Sequence, residues 1–339
     1  MQTKLVYVLT CAPEATYIEQ ALISIWSARY HNPDAHIVLL IDNKTNELLV
    51  GKRAEVLEYI TEKVVIPFED TNATMMYRSR WIKTSVRQLI EGDFLFIDCD
   101  TIVAQSLAEI DSCIHDIAMV LDEHSPTYEY TEELKLYTQH FSLKLGYDAL
   151  QENEYFNSGV MYAKDTATVH NLWDFWHHYW IQGEKDGVGI DQPALGKANI
   201  ACNHIIQQLP REWNTLIYMN PIFISEGKIL HFWNFRNRSY IFCKSYLKYV
   251  REHGMNKYVQ DCVLNPLRSL LPSDNILNKA RLLDFIKYRC IIRKEKQKYA
   301  THVDPSFSDF PWKKGFCLLR KYVKIKIFKK GNLQDIYHT

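Results

Sequence analysis

The sequence predicts an α/β protein with a mostly parallel central sheet flanked by helices. Two observations lead there. Compact runs of β-forming residues alternate with longer segments whose apolar residues recur at helical spacing, the order produced by parallel strands joined through crossover helices. The chain of 339 residues is 47% hydrophobic and 13% aromatic, enough to bury a large core without disulfides or metals to organise it.

Taken in order, residues 4–10 form an apolar run that ends in a polar, proline-containing turn, as a buried parallel strand does. Over residues 17–30, Ile18, Leu22, Ile25 and Trp26 fall on one helical face, and Asn32-Pro33-Asp34 stops the helix. Residues 37–41 make a second strand, closed by Asp42-Asn43. The alternation continues with a helix over 54–60, a strand over 63–66, a helix over 81–90 and a strand over 94–97. Residues 127–155 are polar and aromatic without a clear period, which suggests an excursion over the sheet edge. A short strand over 156–163 and an aromatic-rich helix over 169–180 follow. On the usual prior of about 150 residues per domain, the pattern favours one large domain over 1–240 and an extension over 241–339.

Lys plus Arg and Asp plus Glu each total 40, so net charge gives no basis for nucleic-acid binding and none is expected. Eight cysteines lie far apart without a C-x-x-C pair, which argues against a zinc site or a disulfide framework and fits reduced thiols in a cytoplasmic protein. No signal peptide is visible, and no apolar stretch approaches the roughly 20 residues of a membrane span. The end of the chain differs: from Lys279 onward Lys and Arg far outnumber Asp284, Glu295, Asp304, Asp309 and Asp335, and Trp312, Phe316, Tyr322, Ile325, Ile327 and Phe328 are interspersed. That composition suits a helical, basic extension lying on an anionic membrane surface, or a terminal helix with solvated lysines.

In a parallel sheet, ligands sit beyond the carboxyl ends of the strands, which directs attention to Thr10, Asp42 and Asp98. The strongest signal is Phe94-Leu95-Phe96-Ile97-Asp98-Cys99-Asp100. An apolar strand delivering two carboxylates one residue apart presents hard oxygen ligands for a divalent cation shared with substrate phosphates. A strand-ending turn also uses aspartates, so the motif gains its meaning from what surrounds it.

Those surroundings are ordered. Arg80 and Lys83, at the start of the helix before the D-x-D strand, precede Asp98 and Asp100; Phe156-Asn157-Ser158-Gly159, Asp191-Gln192 and His231 follow. This succession resembles the GT-A glycosyltransferases, most closely family 8, the retaining group that includes glycogenin and the bacterial lipopolysaccharide galactosyltransferases. The likeness covers residues 4–234. It implies the GT-A (nucleotide-diphospho-sugar transferase) fold and a metal-dependent, retaining hexosyltransferase using a nucleotide diphosphate sugar, with UDP-sugar as donor and a glycan or lipid-linked saccharide as acceptor. Asp98, Asp100 and His231 would ligate Mn²⁺ or Mg²⁺, imidazole favouring the former.

By the same resemblance Asp191 would hold sugar hydroxyls, Gln192 would lie by the anomeric carbon with Asn157 nearby, and Arg80 and Lys83 would meet phosphate or sugar oxygens. Ser158 and Gly159 would let the sugar approach the backbone, and Thr10 and Tyr17 would face the nucleoside. Asp191 alone would read as a helix N-cap. Two departures stand out. His231 leads into Phe232-Trp233-Asn234-Phe235-Arg236-Asn237-Arg238 instead of the family's Lys-Pro-Trp run, so Arg236 or Arg238 would take over the phosphate contact. Pro193-Ala194-Leu195-Gly196 also continues the D-Q motif differently. By resemblance to family enzymes that build lipid-linked glycans, the tail would place the protein on the inner face of the membrane. Alternatives are a haloacid-dehalogenase-like phosphohydrolase, since Asp98-x-Asp100-Thr101 resembles its nucleophile motif, and a catalytically silent sugar-nucleotide or glycan-binding module.

Overall fold

The computed structural model describes residues 1–70, 72–122, 132–152, 154–217, 226–232 and 241–264, apart from the side chains of 132–137 and 245. β1 (Lys4–Leu9) and β2 (Ile37–Asp42) are buried along almost their whole length, as strands covered on both faces must be. α1 (Tyr17–His31) joins them and is buried continuously from Ile18 to Ala28. Asp42 ends β2 and caps α2 (Asn43–Glu47), its carboxylate accepting from the Thr45 amide at 2.7 Å. The α-helix expected over 54–60 is instead a 3-10 segment, Gly51–Glu58, whose one buried side chain, Val56, gives no apolar face to hold an α-helix down. β3 (Glu62–Ile66) exposes Glu62 and Lys63 at the sheet edge, where charge discourages further pairing.

The helix expected over 81–90 begins earlier and breaks. Thr74 caps α3 (Met75–Thr84) through its hydroxyl, and the chain leaves helical geometry at Ser85 before α4 (Val86–Leu89). Next come β4 (Phe94–Ile97), β5 (Thr101–Val103) and β6 (Ile117–Leu121). The stretch without a legible period contains α5 (Glu132–Lys144), which packs on α7. β7 (Phe156–Ala163), α6 (Ala167–Lys185), α7 (Gln192–Ala201), β8 (Gln207–Gln208), β9 (Thr215–Leu216), β10 (Ile229–His231), α8 (Lys244–His253) and α9 (Lys257–Val263) complete the described chain. Trp173, Trp176 and Trp180, at helical spacing on α6, are fully buried against the sheet.

The main sheet has the order β3-β2-β1-β4-β7-β6-β8. All pairs are parallel except the two made by β7, with β4 and with β6. This is an α/β fold with a mixed, mostly parallel sheet between helices, as the sequence predicts. Because β7 runs against β4, the start of β7 lies beside the end of β4, and the Asp98 amide donates to the Gly159 carbonyl at 2.8 Å. A second sheet, β5-β10-β9, pairs His231 antiparallel with Thr101, and the Phe232 amide donates to the Asp100 carbonyl at 2.9 Å. These two pairings assemble the site. α8 braces α1: Arg251 and Arg53 both donate to the buried Glu19 carboxylate, and both also donate to the Ala15 carbonyl.

Candidate active site

A pocket of about 170 Å³ opens at the carboxyl ends of β4 and β6; among its lining residues are Arg80, Lys83, Asp98, Asn157, Gln192 and His231. It also takes in Ser158, Gly159 and Asp191, so nine of the residues singled out by motif converge on one space. Thr10, Tyr17 and Asp100 are not among its lining; Thr10 donates its hydroxyl to the Met75 carbonyl at 3.1 Å, and Tyr17 is the first residue of α1. Asp42 is committed to structure, fully buried and ion-paired with Arg78. Arg236, Arg238 and the basic tail lie outside the described residues.

Lys83 is the hub. Its ammonium is 3.2 Å from Asp98 Oδ1, 3.2 Å from Ser158 Oγ and 3.5 Å from Asp191 Oδ2, and its side chain is 3% exposed. Arg80 Nε lies 2.9 Å from Asp191 Oδ1 without a hydrogen-bonding angle, so that contact is Coulombic. The expectation that Arg80 and Lys83 open their helix is corrected: α3 starts at Met75, both cations sit beyond its first turn, and they act by their own charge without help from the helix N-terminus. Asp191 does occupy the N-cap position of α7, yet its side chain makes no capping bond. It accepts from Ser158 Oγ at 3.0 Å and faces the two cations instead. Burial alone would raise its pKa; Arg80 and Lys83 outweigh burial and hold it at about 2.

Across the pocket, one ligand atom each from Asp98, Asp100 and His231 lie within 4.8 Å of one another. Removal from water raises the Asp98 pKa, Lys83 pulls it back and the Asp100 carboxylate raises it further, a balance that a divalent cation between the two would reverse. His231 Nε2 is buried without a hydrogen-bond partner and lies 3.3 Å from Asp100 Oδ1. An orphaned imidazole nitrogen facing two carboxylates is the donor set a divalent cation takes. Cys99, between the aspartates, is no nucleophile: burial and its acidic neighbours push its thiol well up, and Sγ donates to the Val8 carbonyl. Gly159 has a sharper reason than access for a sugar. A Cβ there would stand 2.2 Å from His231 Cε1, so the room its missing side chain leaves is taken by the imidazole.

Several pocket residues escape sequence reasoning. Asp122 accepts from Asn157 Nδ2 at 2.7 Å and is 3% exposed; its signal was there, since it ends the apolar β6 as Asp98 ends β4. Thr138, Phe141 and Tyr155 carry no such mark. Asn214, at the end of a 3-10 turn before β9, touches the site through His231 and lies in no motif.

The model of glycosyl transferase family 8 matches residues 9–237. The chain belongs to glycosyl transferase family 8. As a family 8 enzyme it transfers a sugar from a nucleotide sugar to an acceptor, and Asp98, Asp100 and His231 form its candidate metal site. No curated protein matches the chain significantly in sequence. Among solved structures, the family 8 chain is similar to the WbbM bifunctional glycosyltransferase at 15% identity and TM-score 0.48, over 80% of this chain and 52% of that one. It thus spans about half of that protein's length. Mouse xyloside xylosyltransferase 1 aligns at 14% identity and TM-score 0.45, over 68% of this chain and 97% of that one. The galactosyltransferase LgtC, solved with donor and acceptor sugar analogues, aligns at 13% identity and TM-score 0.48, over 74% of this chain and 94% of that one. The phosphohydrolase alternative finds no support in these comparisons.

Proposed function

We propose that this family 8 enzyme moves a hexosyl group from UDP-sugar to a glycan or lipid-linked acceptor, with retention of configuration, using Mn²⁺ or Mg²⁺ held by Asp98, Asp100 and His231. The observation that carries the reading is that those three ligand groups lie within 4.8 Å of one another and that two of them, Asp98 and His231, line one pocket with the Lys83–Arg80–Asp191 cluster. When bound, such a cation supplies Lewis-acid neutralisation of the diphosphate charge. The chain's own residues do the rest. Arg80 and Lys83 donate to phosphate or sugar oxygens, and Asp191, kept ionised by both, accepts from sugar hydroxyls. Gln192 places its carboxamide oxygen by the anomeric carbon, where positive charge develops. Asn157, Ser158 and Gly159 close the sugar side of the pocket, and Thr10 and Tyr17 face the nucleoside. At about 170 Å³ the pocket is smaller than the ~300–1,000 Å³ of whole small-molecule sites. It fits the sugar and diphosphate end of the donor, with the nucleoside outside it.

The catalytic domain spans 1–240 in this reading, and the extension over 241–339 docks on an anionic inner membrane surface through its basic, aromatic end. No described helix is long and apolar enough to cross a membrane. The deciding experiment is a screen of nucleotide sugars with Mn²⁺ that reads released nucleotide and thermal stabilisation, repeated with Asp100→Ala. Stabilisation by UDP and Mn²⁺ that disappears in the variant is the expected result; indifference of the wild type to every nucleotide sugar overturns it. For the tail, truncation after Asp309 should shift the protein from membrane to cytosolic fractions, and an unchanged distribution removes that part of the proposal.

A further inference from the structure

Four buried polar side chains behind the metal site form one hydrogen-bonded line. Asp122, Asn157, Asn214 and His231 are each 5% exposed or less, and Asn157 Oδ1 is 2.8 Å from Asn214 Nδ2 while Asn214 Oδ1 is 2.9 Å from His231 Nδ1. The direction of this line is set at its far end by groups that cannot exchange roles. The Gly159 amide is a donor only, so the Asn157 atom 2.9 Å from it must be the carboxamide oxygen. The opposite end of that carboxamide then meets Asp122 Oδ2 at 2.7 Å as a donor, which a carboxylate requires. With Asn157 Oδ1 turned towards Asn214, Asn214 must offer its NH₂ there and its oxygen to the imidazole. An amide oxygen accepts only, so Nδ1 of His231 carries the proton. In the neutral ring the lone pair then sits on Nε2, which is buried, makes no hydrogen bond and lies 3.3 Å from Asp100 Oδ1.

We infer that Asn214, oriented by Asn157 and through it by Asp122 and the Gly159 amide, is a positioning residue that fixes His231 as its Nδ1–H tautomer and reserves Nε2 for the cation. The inference rests on the metal-site reading above, and it gives Asn157 and Asp122 a task that needs no contact with the sugar. The partner of a ligand's second ring nitrogen orients the ring and raises its basicity, and losing it costs about 10–100-fold in metal affinity.

The test uses full-length protein labelled with ¹⁵N at histidine. Long-range ¹H–¹⁵N spectra of the metal-free protein, with His231→Asn for assignment, read the tautomer; electron paramagnetic resonance of free Mn²⁺ reads affinity. The wild type should show the Nδ1–H form. Asn214→Leu should lose that preference and bind Mn²⁺ about 10–100-fold more weakly, whereas Asn214→Asp, which keeps an acceptor beside Nδ1, should retain the tautomer. A wild-type Nε2–H tautomer overturns the inference whether or not any variant folds, and so does an Asn214→Leu protein that binds Mn²⁺ like the wild type. A wild type with the expected tautomer but no Mn²⁺ affinity refutes the metal site and leaves the tautomer relay standing.

Discussion

Asp191→Asn removes one charge from a buried cluster whose cations are both close, and its cost follows from the structure. The Asp191 carboxylate is 4% exposed, with Arg80 Nε at 2.9 Å and Lys83 Nζ at 3.5 Å. Its pKa falls from 3.8 to about 2, and at about 1.4 kcal/mol per unit this is worth on the order of 2 kcal/mol at neutral pH. The folded pKa lies below the unfolded one, so the folded protein binds fewer protons over this range. The contribution is therefore complete above the unfolded value, and it drains away as pH falls from about 4 towards 2. Urea unfolding of wild type and variant from pH 6 to pH 3 should show a gap on the order of 2 kcal/mol at pH 6 that narrows below pH 4, where the protonated carboxyl becomes equivalent to the amide. A gap that stayed constant across that range, or was absent at pH 6, would mean that the two cations do not hold Asp191 ionised.

Gly159→Ala should push the His231 ring from its place, because the new Cβ would sit 2.2 Å from Cε1 of a buried, rigid side chain; a loss of about 1–3 kcal/mol in urea unfolding, together with weaker Mn²⁺ binding, is expected. Arg251→Ala takes one of two guanidinium partners from Glu19, which is 1% exposed, while Arg53 remains at 2.7 Å. About 1–3 kcal/mol of stability should go with it, read by chemical denaturation, and a change within error would show Arg53 to be sufficient. Stripping metal with a chelator should lower the thermal midpoint of wild type in the presence of UDP but leave Asp100→Ala unmoved, since a ligand stabilises only a site that binds it.

Much of the site was legible because its chemistry needs particular side chains at the ends of strands. Asp98 and Asp100 announce themselves after an apolar strand, and Asp191-Gln192 and His231 are recognisable in their order. Asp122 ends a strand in the same manner and was readable in principle. Asn214 was not, because an asparagine in a short turn carries no pattern, and its importance lies wholly in which nitrogen of a distant imidazole it touches. Local geometry misled twice: a 3-10 segment stood where a helix was expected over 54–60, and α3 began at Met75, moving Arg80 and Lys83 away from a helix end.

By itself the sequence determined the α/β alternation, the buried central strands and the identity of the acidic, basic and imidazole groups, since these follow from periodicity and residue chemistry over a few neighbours. Only the tertiary structure decided that β7 runs antiparallel to β4 and that β10 pairs with β5. Those pairings bring Ser158 beside Lys83 and His231 beside Asp100. Strand direction and register are long-range properties, set by which surfaces bury one another, and no local stretch of residues encodes them.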